Sequence, residues 1–313
     1  MNRLLKRKRV PVHGVLLLDK PEGLTSTQAL SAAKRLLNAE KAGHTGTLDP
    51  FATGLLPLCF GEATKFAQDL LHADKSYEAT VHLGVTTTTA DTEGEITETK
   101  TVAVTREQIE KVLQQFRGAI TQIPPMHSAL KRDGKPLYEY AREGVVLERE
   151  AREIVIYELE LLEFASPDVK IRVRCSKGTY IRVLGEDIGH ALGCGAHLTA
   201  LRRTSVGTLD LQRSINLPGF TALTEPARLQ TLLPVDALLA DLPALSLTEE
   251  LAQRFMHGQR IPGMACVGAQ PTDETTVLVR VYRAVDAALL GVALLDARGV
   301  LSPQRLVSVS ASE

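Results

Sequence analysis

The chain has 313 residues with 36 Lys or Arg and 37 Asp or Glu, so its formal net charge is −1 at pH 7. This balance excludes a uniformly basic protein, and any nucleic-acid surface must be local. No apolar run approaches the ~18 residues that span a bilayer, and the four cysteines lack metal or disulfide spacing. We therefore expect a cytoplasmic protein with free, mostly buried thiols and no membrane segment.

A strand and a helix are the first predicted elements. The apolar run from Gly14 to Leu18 indicates a buried strand that ends at Lys20 and Pro21. Thr25 and Gln28 then have the spacing of a capping box, and the apolar stripe behind them is typical of a helix.

The loop from Gly43 to Pro57 carries the strongest chemical signal. It places one carboxylate, Asp49, among glycines, hydroxyls and prolines, and Pro50 disfavours the helical region for Asp49. A phosphate-binding P-loop is strongly disfavoured because the Gly-Lys-Ser/Thr ending is absent. A purely structural alternative is a helix start with Asp49 as N-cap. We predict instead that the loop aims a reactive acid.

The middle of the chain predicts further strands and helices. Alternation from Tyr77 to Leu83 predicts a strand with Tyr77 facing inward. Thr105 and Gln108 form a second capping box, for a helix that Gly118 closes. Residues 123–152 contain prolines, a Gly-Lys-Pro turn and alternating charges, so we predict an inserted, mobile element there.

The second half predicts two long strands, a helix and a small β-rich domain. The strands are expected from Ile154 to Phe164 and from Val169 to Arg182, and the helix ends at Gly193. On an extended strand Tyr180 and Arg182 share one face about 6.6 Å apart. Short apolar runs beyond residue 245 indicate a separate β domain.

The chain contains seven ordered motifs: Gly14 to Pro21, Ala42 to Thr53, Gly61 to Phe66, Ile123 to Lys131, Leu137 to Arg142, Cys175 to Arg182 and Gly193 to Leu198. Together they resemble the bacterial tRNA pseudouridine synthase B (TruB) family, over a span from about Val12 to Arg203. The resemblance implies a mixed α+β fold, with a bent, largely antiparallel sheet, flanking helices and a thumb at about 123–152 in a catalytic domain of residues 1–245. It also implies a small PUA-like RNA-binding domain at 246–313.

The same resemblance implies roles for individual residues. Asp49 matches the catalytic aspartate, and Arg182 is our candidate for the cation that keeps it ionised. Tyr77 is implied to stack on a flipped uracil and Tyr180 to contact the nucleotide. The remaining substrate-binding residues are Leu201 as an apolar wall and His44 as a filler of space left by flipped bases. Lys20, at the end of the first strand, is grouped with them as a structural or backbone-contacting residue of the pocket.

Structural alternatives remain open for some of these residues. Leu201 is equally well explained as a core residue, and Tyr180 and Arg182 as residues of a half-exposed strand. Basic candidates for an RNA surface are the run Arg3 to Arg9, the cluster from Lys131 to Lys135, and the pair Arg202-Arg203. The N-terminal run is also consistent with a disordered tail.

Two positions depart from the family pattern. Thr86 to Thr89 stand where further acidic residues are expected before Asp91, and His127 stands where tyrosine is usual. Neither position belongs to the Asp49 loop, so we expect consequences for peripheral RNA contacts only.

The leading hypothesis is a tRNA pseudouridine-55 synthase that isomerises a uridine in the TΨC stem-loop of tRNA. It needs no metal or cofactor and no obligatory protein partner, and we expect a monomer. A second hypothesis is an RNA chaperone that opens and refolds tRNA, with chemistry secondary. A third, a phosphate-binding hydrolase, lacks a metal-ligand cluster or a nucleophile–base pair in the sequence.

Overall fold

The structure, a computed structural model, describes residues 8–269, 271–272 and 275–308. Residues 3–7 of the predicted basic run Arg3 to Arg9 therefore lie outside the described residues. Within the described ranges no helix is both long and apolar enough to cross a membrane.

Eighteen strands can be traced in the described residues, most of them in one large sheet. Their bounds are β1 (Gly14–Lys20), β2 (Ala42–His44), β3 (Thr53–Phe60), β4 (Lys75–Leu83), β5 (Val85–Thr87), β6 (Ile96–Thr99), β7 (Gly118–Gln122), β8 (Lys131–Arg132), β9 (Lys135–Pro136), β10 (Arg152–Ala165), β11 (Asp168–Cys175), β12 (Ala196–Val206), β13 (Leu209–Asp210), β14 (Ile215–Asn216), β15 (Ala244–Leu247), β16 (Val277–Arg283), β17 (Leu289–Leu295) and β18 (Leu301–Leu306).

Eight α-helices and three short 3-10 helices join these strands in the described ranges. The α-helices are α1 (Ser26–Leu36), α2 (Ala67–Leu71), α3 (Arg106–Gln115), α4 (Leu137–Arg142), α5 (Ile181–Ala191), α6 (Leu217–Ala222), α7 (Glu225–Gln230) and α8 (Glu249–Met256). The 3-10 helices are Gly61–Lys65, Leu211–Arg213 and Val235–Leu239.

The large sheet is mixed and mostly antiparallel, as predicted. Its strand order is β14-β1-β3-β12-β4-β11-β10-β7, with β2 paired to β3 and β13 paired to β12. Only the β1–β14 and β3–β12 pairs are parallel among the described strands of this sheet. The central strands β3, β12 and β4 bring distant parts of the chain side by side, and the candidate site forms at their ends.

Local sequence signals account for the best-predicted elements. Thr25 and Gln28 form both hydrogen bonds of a capping box at the start of α1, and Thr105 and Gln108 do so at α3. In β4 every second residue from Lys75 to Leu83 is buried, which confirms the predicted alternation and the inward side chain of Tyr77.

The large sheet has an apolar core on each face. In β1, Leu16 and Leu18 belong to one buried cluster, whereas Val15 and Leu17 belong to another on the opposite face. This two-sided burial explains why the strand is continuously apolar instead of alternating. A rigid sheet of this kind fixes the positions of side chains at its strand ends.

A four-stranded sheet with the order β15-β16-β17-β18 forms the C-terminal region and has its own apolar cluster. Polar contacts attach it to the rest of the chain. Arg305 lies 2.6 Å from a carboxylate oxygen of Asp69, and Lys65 donates to the carbonyl of Leu306 over 2.9 Å.

The predicted insertion, residues 123–152, follows β7 and ends at the first residue of β10, Arg152. It contains only the two-residue strands β8 and β9 and the short helix α4. We refer to residues 123–152 as the thumb.

Candidate active site

A cavity of about 580 Å³ opens beside the Asp49 loop, where β4, β12 and the start of α5 meet the thumb. Six of the seven predicted site residues line it, and the seventh, Lys20, does not. The lining residues are His44, Gly46, Thr47, Leu48, Asp49, Leu71, Lys75, Tyr77, Ser128, Ala129, Leu130, Gly178, Thr179, Tyr180, Ile181, Arg182, Leu201 and Arg203.

Hydrogen bonds from α1 and β1 fix the Asp49 loop in place. The buried Ser26 hydroxyl donates to the carbonyl of Leu48 and accepts from its amide, at 3.0 and 2.8 Å. Lys20 is fully buried, and its ammonium donates to the carbonyls of Pro21, Leu24 and Pro50 at 2.8, 2.6 and 3.2 Å. Lys20 thus supports the loop from beneath instead of lining the cavity.

No helix begins at Asp49, so the helix-start alternative is wrong. The segment forms a turn in which the amide of Ala52 donates to the carbonyl of Asp49 over 3.1 Å, and β3 starts at Thr53. The Asp49 side chain is therefore free to face the cavity, with 35% of its surface exposed.

Arg182 binds Asp49 and a second carboxylate. Its Nε lies 3.0 Å from Oδ2 of Asp49, and its Nη1 lies 3.5 Å from Oδ2 of Asp91. The same guanidinium donates to the carbonyls of Thr89 and His127 at 3.0 and 2.7 Å. With only 5% of its side chain exposed, Arg182 is fixed by four separate contacts.

Asp91 is a site component that the sequence reasoning did not identify. Only 3% of its side chain is exposed, and one of its oxygens accepts from the Thr89 hydroxyl and, over 2.9 Å, from the amide of Glu93. The Thr87 hydroxyl donates to the Asp91 carbonyl over 2.7 Å. Two of the threonines from Thr86 to Thr89 therefore contact the partner of Arg182, so this run is not remote from the site, whereas the expected effect on RNA contacts stays a prediction.

The pKa of Asp49 is raised above its ordinary value. Burial is the largest cause and the negative charge of Asp91 adds to it, whereas Arg182 and Lys20 act in the opposite direction. Arg182 thus limits the rise in the pKa of Asp49 without abolishing it. A carboxylate in this state is a stronger base than an exposed aspartate.

The prediction that Tyr180 and Arg182 lie on one strand is wrong. Strand β11 ends at Cys175, the chain turns through Gly178 with φ of +81°, and Tyr180 is the N-cap residue of α5. The side chain of Gln122 binds both the amide and the carbonyl of Tyr180, at 3.0 and 3.3 Å. Both predicted side chains nevertheless line the cavity, from a helix start rather than a strand.

Tyr77 forms the floor of the cavity together with Arg203. The two residues are register partners on β4 and β12, and the Tyr77 hydroxyl is hydrogen-bonded to the Arg203 guanidinium. Burial raises the pKa of Tyr77 to about 12, so the hydroxyl keeps its proton at neutral pH. Arg203 is 1% exposed, so the prediction of Arg202-Arg203 as a surface pair is wrong for this residue.

His44 gives the cavity a polar side chain, and Leu201 gives it an apolar one. Burial and the charge of Arg203 lower the pKa of His44, and its Nδ1 is buried with no hydrogen-bond partner among the described residues. Leu201, which is 7% exposed, lines the cavity and also belongs to the main apolar core. The two readings of Leu201 are therefore compatible.

The thumb reaches the site through its main chain as well as its side chains. Residues Ser128 to Leu130 line the cavity, and the contact to Arg182 comes from the carbonyl oxygen of His127. A backbone contact does not depend on the side chain, so the presence of histidine instead of tyrosine at position 127 leaves this contact in place.

All four cysteines are free, and three of them are buried. No group of three or more His, Cys, Asp or Glu that could hold a metal is found in the described part of the chain.

Comparison with known proteins places three matches along the chain. The N-terminal domain of TruB family pseudouridylate synthase matches residues 34–181. The C-terminal domain of tRNA pseudouridylate synthase B matches residues 182–240, and the C-terminal region of pseudouridine synthase II TruB matches residues 243–307. The last match covers the four-stranded sheet.

Solved structures support the same fold. A chain from a crystal structure of a Cbf5-Nop10-Gar1 complex is 29% identical with a TM-score of 0.74, covering 94% of this chain and 84% of that chain. A chain from the structure of an H/ACA RNP bound to a substrate RNA containing 2′-deoxyuridine is 26% identical with a TM-score of 0.73, covering 95% and 86%.

Curated relatives are similar over almost their whole length. A tRNA pseudouridine synthase B from Ralstonia nicotianae is 58% identical over an alignment of 309 residues that covers 96% of each chain. One from Burkholderia mallei is 57% identical over 303 residues, covering 97% of this chain and 99% of the relative. The chain therefore belongs to the TruB family of pseudouridylate synthases.

Proposed function

We propose that the protein converts a uridine of the TΨC loop of tRNA to pseudouridine-55, with Asp49 as the catalytic carboxylate. The observation that carries this proposal is the 3.0 Å ion pair between Asp49 and the buried Arg182, set in a cavity beside an aromatic floor. The relatives named tRNA pseudouridine synthase B support tRNA as the substrate.

The reaction exchanges one glycosidic bond for another without net redox change. The bond between N1 of uracil and C1′ of ribose breaks, the base turns, and a bond between C5 and C1′ forms. C5 loses its proton and N1 gains one, so product and substrate are isomers. Asp49 either attacks C1′ as a nucleophile or removes the C2′ proton to give a glycal, and reverses that step later. Both routes require the ionised carboxylate, which the Arg182 contact favours.

The other cavity residues have positioning roles in this proposal. A uridine reaches Asp49 only after leaving its stack, at a cost of a few kcal/mol that stacking on Tyr77 partly offsets. Leu201 closes the apolar side, Tyr180 contacts the nucleotide, and His44 occupies space that flipped bases leave. A neutral His44 suits this role, because its pKa is lowered.

Further parts of the proposal concern the whole protein. We assign catalysis to residues 1–245 and a PUA-like RNA-binding role to 246–313. The first strand of the C-terminal sheet, β15, begins two residues before this boundary, at Ala244. We expect a monomer that acts in the cytoplasm.

The direct test incubates the purified protein with an unmodified tRNA transcript and measures pseudouridine by nucleoside chromatography and by mapping the modified position. Stoichiometric pseudouridine at the TΨC-loop position is expected. A transcript with that uridine replaced by cytidine is the control. A folded protein that binds the transcript but yields no pseudouridine would leave RNA refolding as its activity.

A further inference from the structure

Lys75 and Arg203 are two buried cations that share the cavity with Asp49. They extend from neighbouring strands, β4 and β12, and are 9% and 1% exposed. In the described ranges neither has a carboxylate within ion-pair distance. Arg182, in contrast, is neutralised by two carboxylates, so the positive charge is concentrated at the Lys75 side of the cavity.

Both cations retain donors that protein groups do not use. Lys75 donates to the carbonyls of Leu71 and Ala73, which leaves one of its three N–H groups. Arg203 binds the carbonyls of Leu55 and Gly46 and the hydroxyl of Tyr77, which leaves two of its five. Three donors therefore remain at one end of the cavity.

Placing two like charges together in a buried site is unfavourable unless an anion joins them. Burial and the neighbouring Arg203 lower the pKa of Lys75 to about 8. The carboxylate that acts on it, Asp74, lies 3.8 Å from Arg174. The exposed Lys177, whose Nζ lies 2.7 Å from Nδ1 of His72, is a further cation that acts on Lys75 and supplies no counter-charge.

A nucleotide held at Asp49 brings such an anion with it. Its ribose must contact the Asp49 carboxylate and its base must stack on Tyr77. The phosphodiester groups on either side of this nucleotide then lie close to the cavity walls. We propose that Lys75 and Arg203 together bind one of the two phosphates that flank the extruded uridine, an assignment that rests on the proposed function. The site would hold a monoanionic phosphodiester through charge-assisted hydrogen bonds.

The test uses a TΨC-arm stem-loop with a neutral methylphosphonate in place of either phosphate flanking the target uridine. Dissociation constants are measured for the full chain carrying Asp49→Asn, so that turnover does not alter the ligand. One of the two linkages should weaken binding about tenfold, as expected for a lost charged hydrogen bond. Adding Lys75→Gln should weaken binding of the unmodified RNA by a similar factor and abolish the methylphosphonate effect.

Three further proteins sharpen this comparison. Lys75→Arg keeps the charge and should keep most of the methylphosphonate effect, and Arg203→Lys should reduce it. Lys100→Gln removes an exposed charge that pairs with Glu98 and should leave the effect unchanged. Thermal unfolding of each protein establishes that it is folded before binding is measured.

Two outcomes would overturn the assignment: no loss of affinity at either linkage, or a loss that persists undiminished in Lys75→Gln. Either result is separable from failure of the proposed function, which is read from pseudouridine formation by the unsubstituted protein on the unmodified stem-loop.

Discussion

The Nε of Arg182 lies 3.0 Å from Oδ2 of Asp49, and this ion pair joins the first turn of α5 to the loop between β2 and β3. Arg182 is almost fully buried, whereas about a third of the Asp49 side chain remains exposed toward the cavity. The arginine therefore orients the carboxylate without covering it.

The planar guanidinium of Arg182 is predicted to be required, not only its charge. Arg182→Lys keeps a cation but loses the planar set of N–H donors that contacts Asp49, Asp91 and two carbonyls at once. We expect the single-turnover rate of pseudouridine formation to fall about 100-fold, as for the loss of one preorganised donor. A rate within threefold of the unsubstituted protein would contradict this role.

Removing the charge of Arg182 should also destabilise the fold. Arg182→Met leaves Asp91 buried without its cation, which is expected to cost about 3 kcal/mol or more in the free energy of unfolding. Adding Asp91→Asn should recover part of that loss, because no buried charge is then left unpaired. Denaturant unfolding of the single and double variants measures this. Equal free energies of unfolding for Arg182→Met and for the double variant would refute a coupling between Arg182 and Asp91.

The pH dependence of the reaction should report the pKa of Asp49. The ionised form is reactive, so the single-turnover rate should fall as the pH drops through that pKa, which is raised by burial and by Asp91. Asp91→Asn removes the like charge, so the acid limb of the pH–rate profile should move to lower pH. A limb that stays in place, or moves to higher pH, would show that Asp91 does not act on Asp49 in this way.

Lys20 is predicted to stabilise the loop that carries Asp49. Lys20→Met removes the donor from three carbonyls, so we expect a loss of about 2–4 kcal/mol in unfolding free energy together with slower turnover. Lys111→Met, on the exposed face of α3, is the matched control and should change stability by less than about 0.5 kcal/mol. Similar melting curves for the two variants would show that Lys20 is not a structural support.

The ring of Tyr77 is predicted to matter more for binding than its hydroxyl. Tyr77→Phe keeps a surface for stacking, so its dissociation constant for a TΨC stem-loop should stay within about threefold, whereas Tyr77→Leu should bind about tenfold more weakly. Fluorescence anisotropy with labelled RNA measures both. If Tyr77→Phe and Tyr77→Leu lose the same affinity for RNA, the effect belongs instead to the contact between the Tyr77 hydroxyl and Arg203.

Local sequence patterns were sufficient to predict the elements that neighbouring residues determine. The two capping boxes, the alternation of β4 and the turn-rich Asp49 loop all depend on neighbouring residues. The segment from Tyr180 to Arg182 has strand-forming residues, but the side chain of Gln122 and the preceding turn make it a helix start. That contact joins residues 58 positions apart and leaves no local pattern.

Asp91 and Arg203 were not assigned to the site from the sequence, for a similar reason. Asp91 follows a run of threonines that resembles an exposed loop, and only the fold shows that it is buried against Arg182. Arg203 follows another arginine, and adjacent basic residues usually indicate a solvated surface. On β12 the two side chains point to opposite faces, so Arg202 binds Asp19 while Arg203 enters the cavity.

The central claim, that Asp49 performs the isomerisation, is tested most directly by release of tritium from a tRNA transcript labelled at uracil C5. The unsubstituted protein should release the label from one uridine per tRNA, and Asp49→Asn should release none while binding the same transcript. Release by Asp49→Asn at the rate of the unsubstituted protein would contradict the assignment of Asp49 as the catalytic carboxylate.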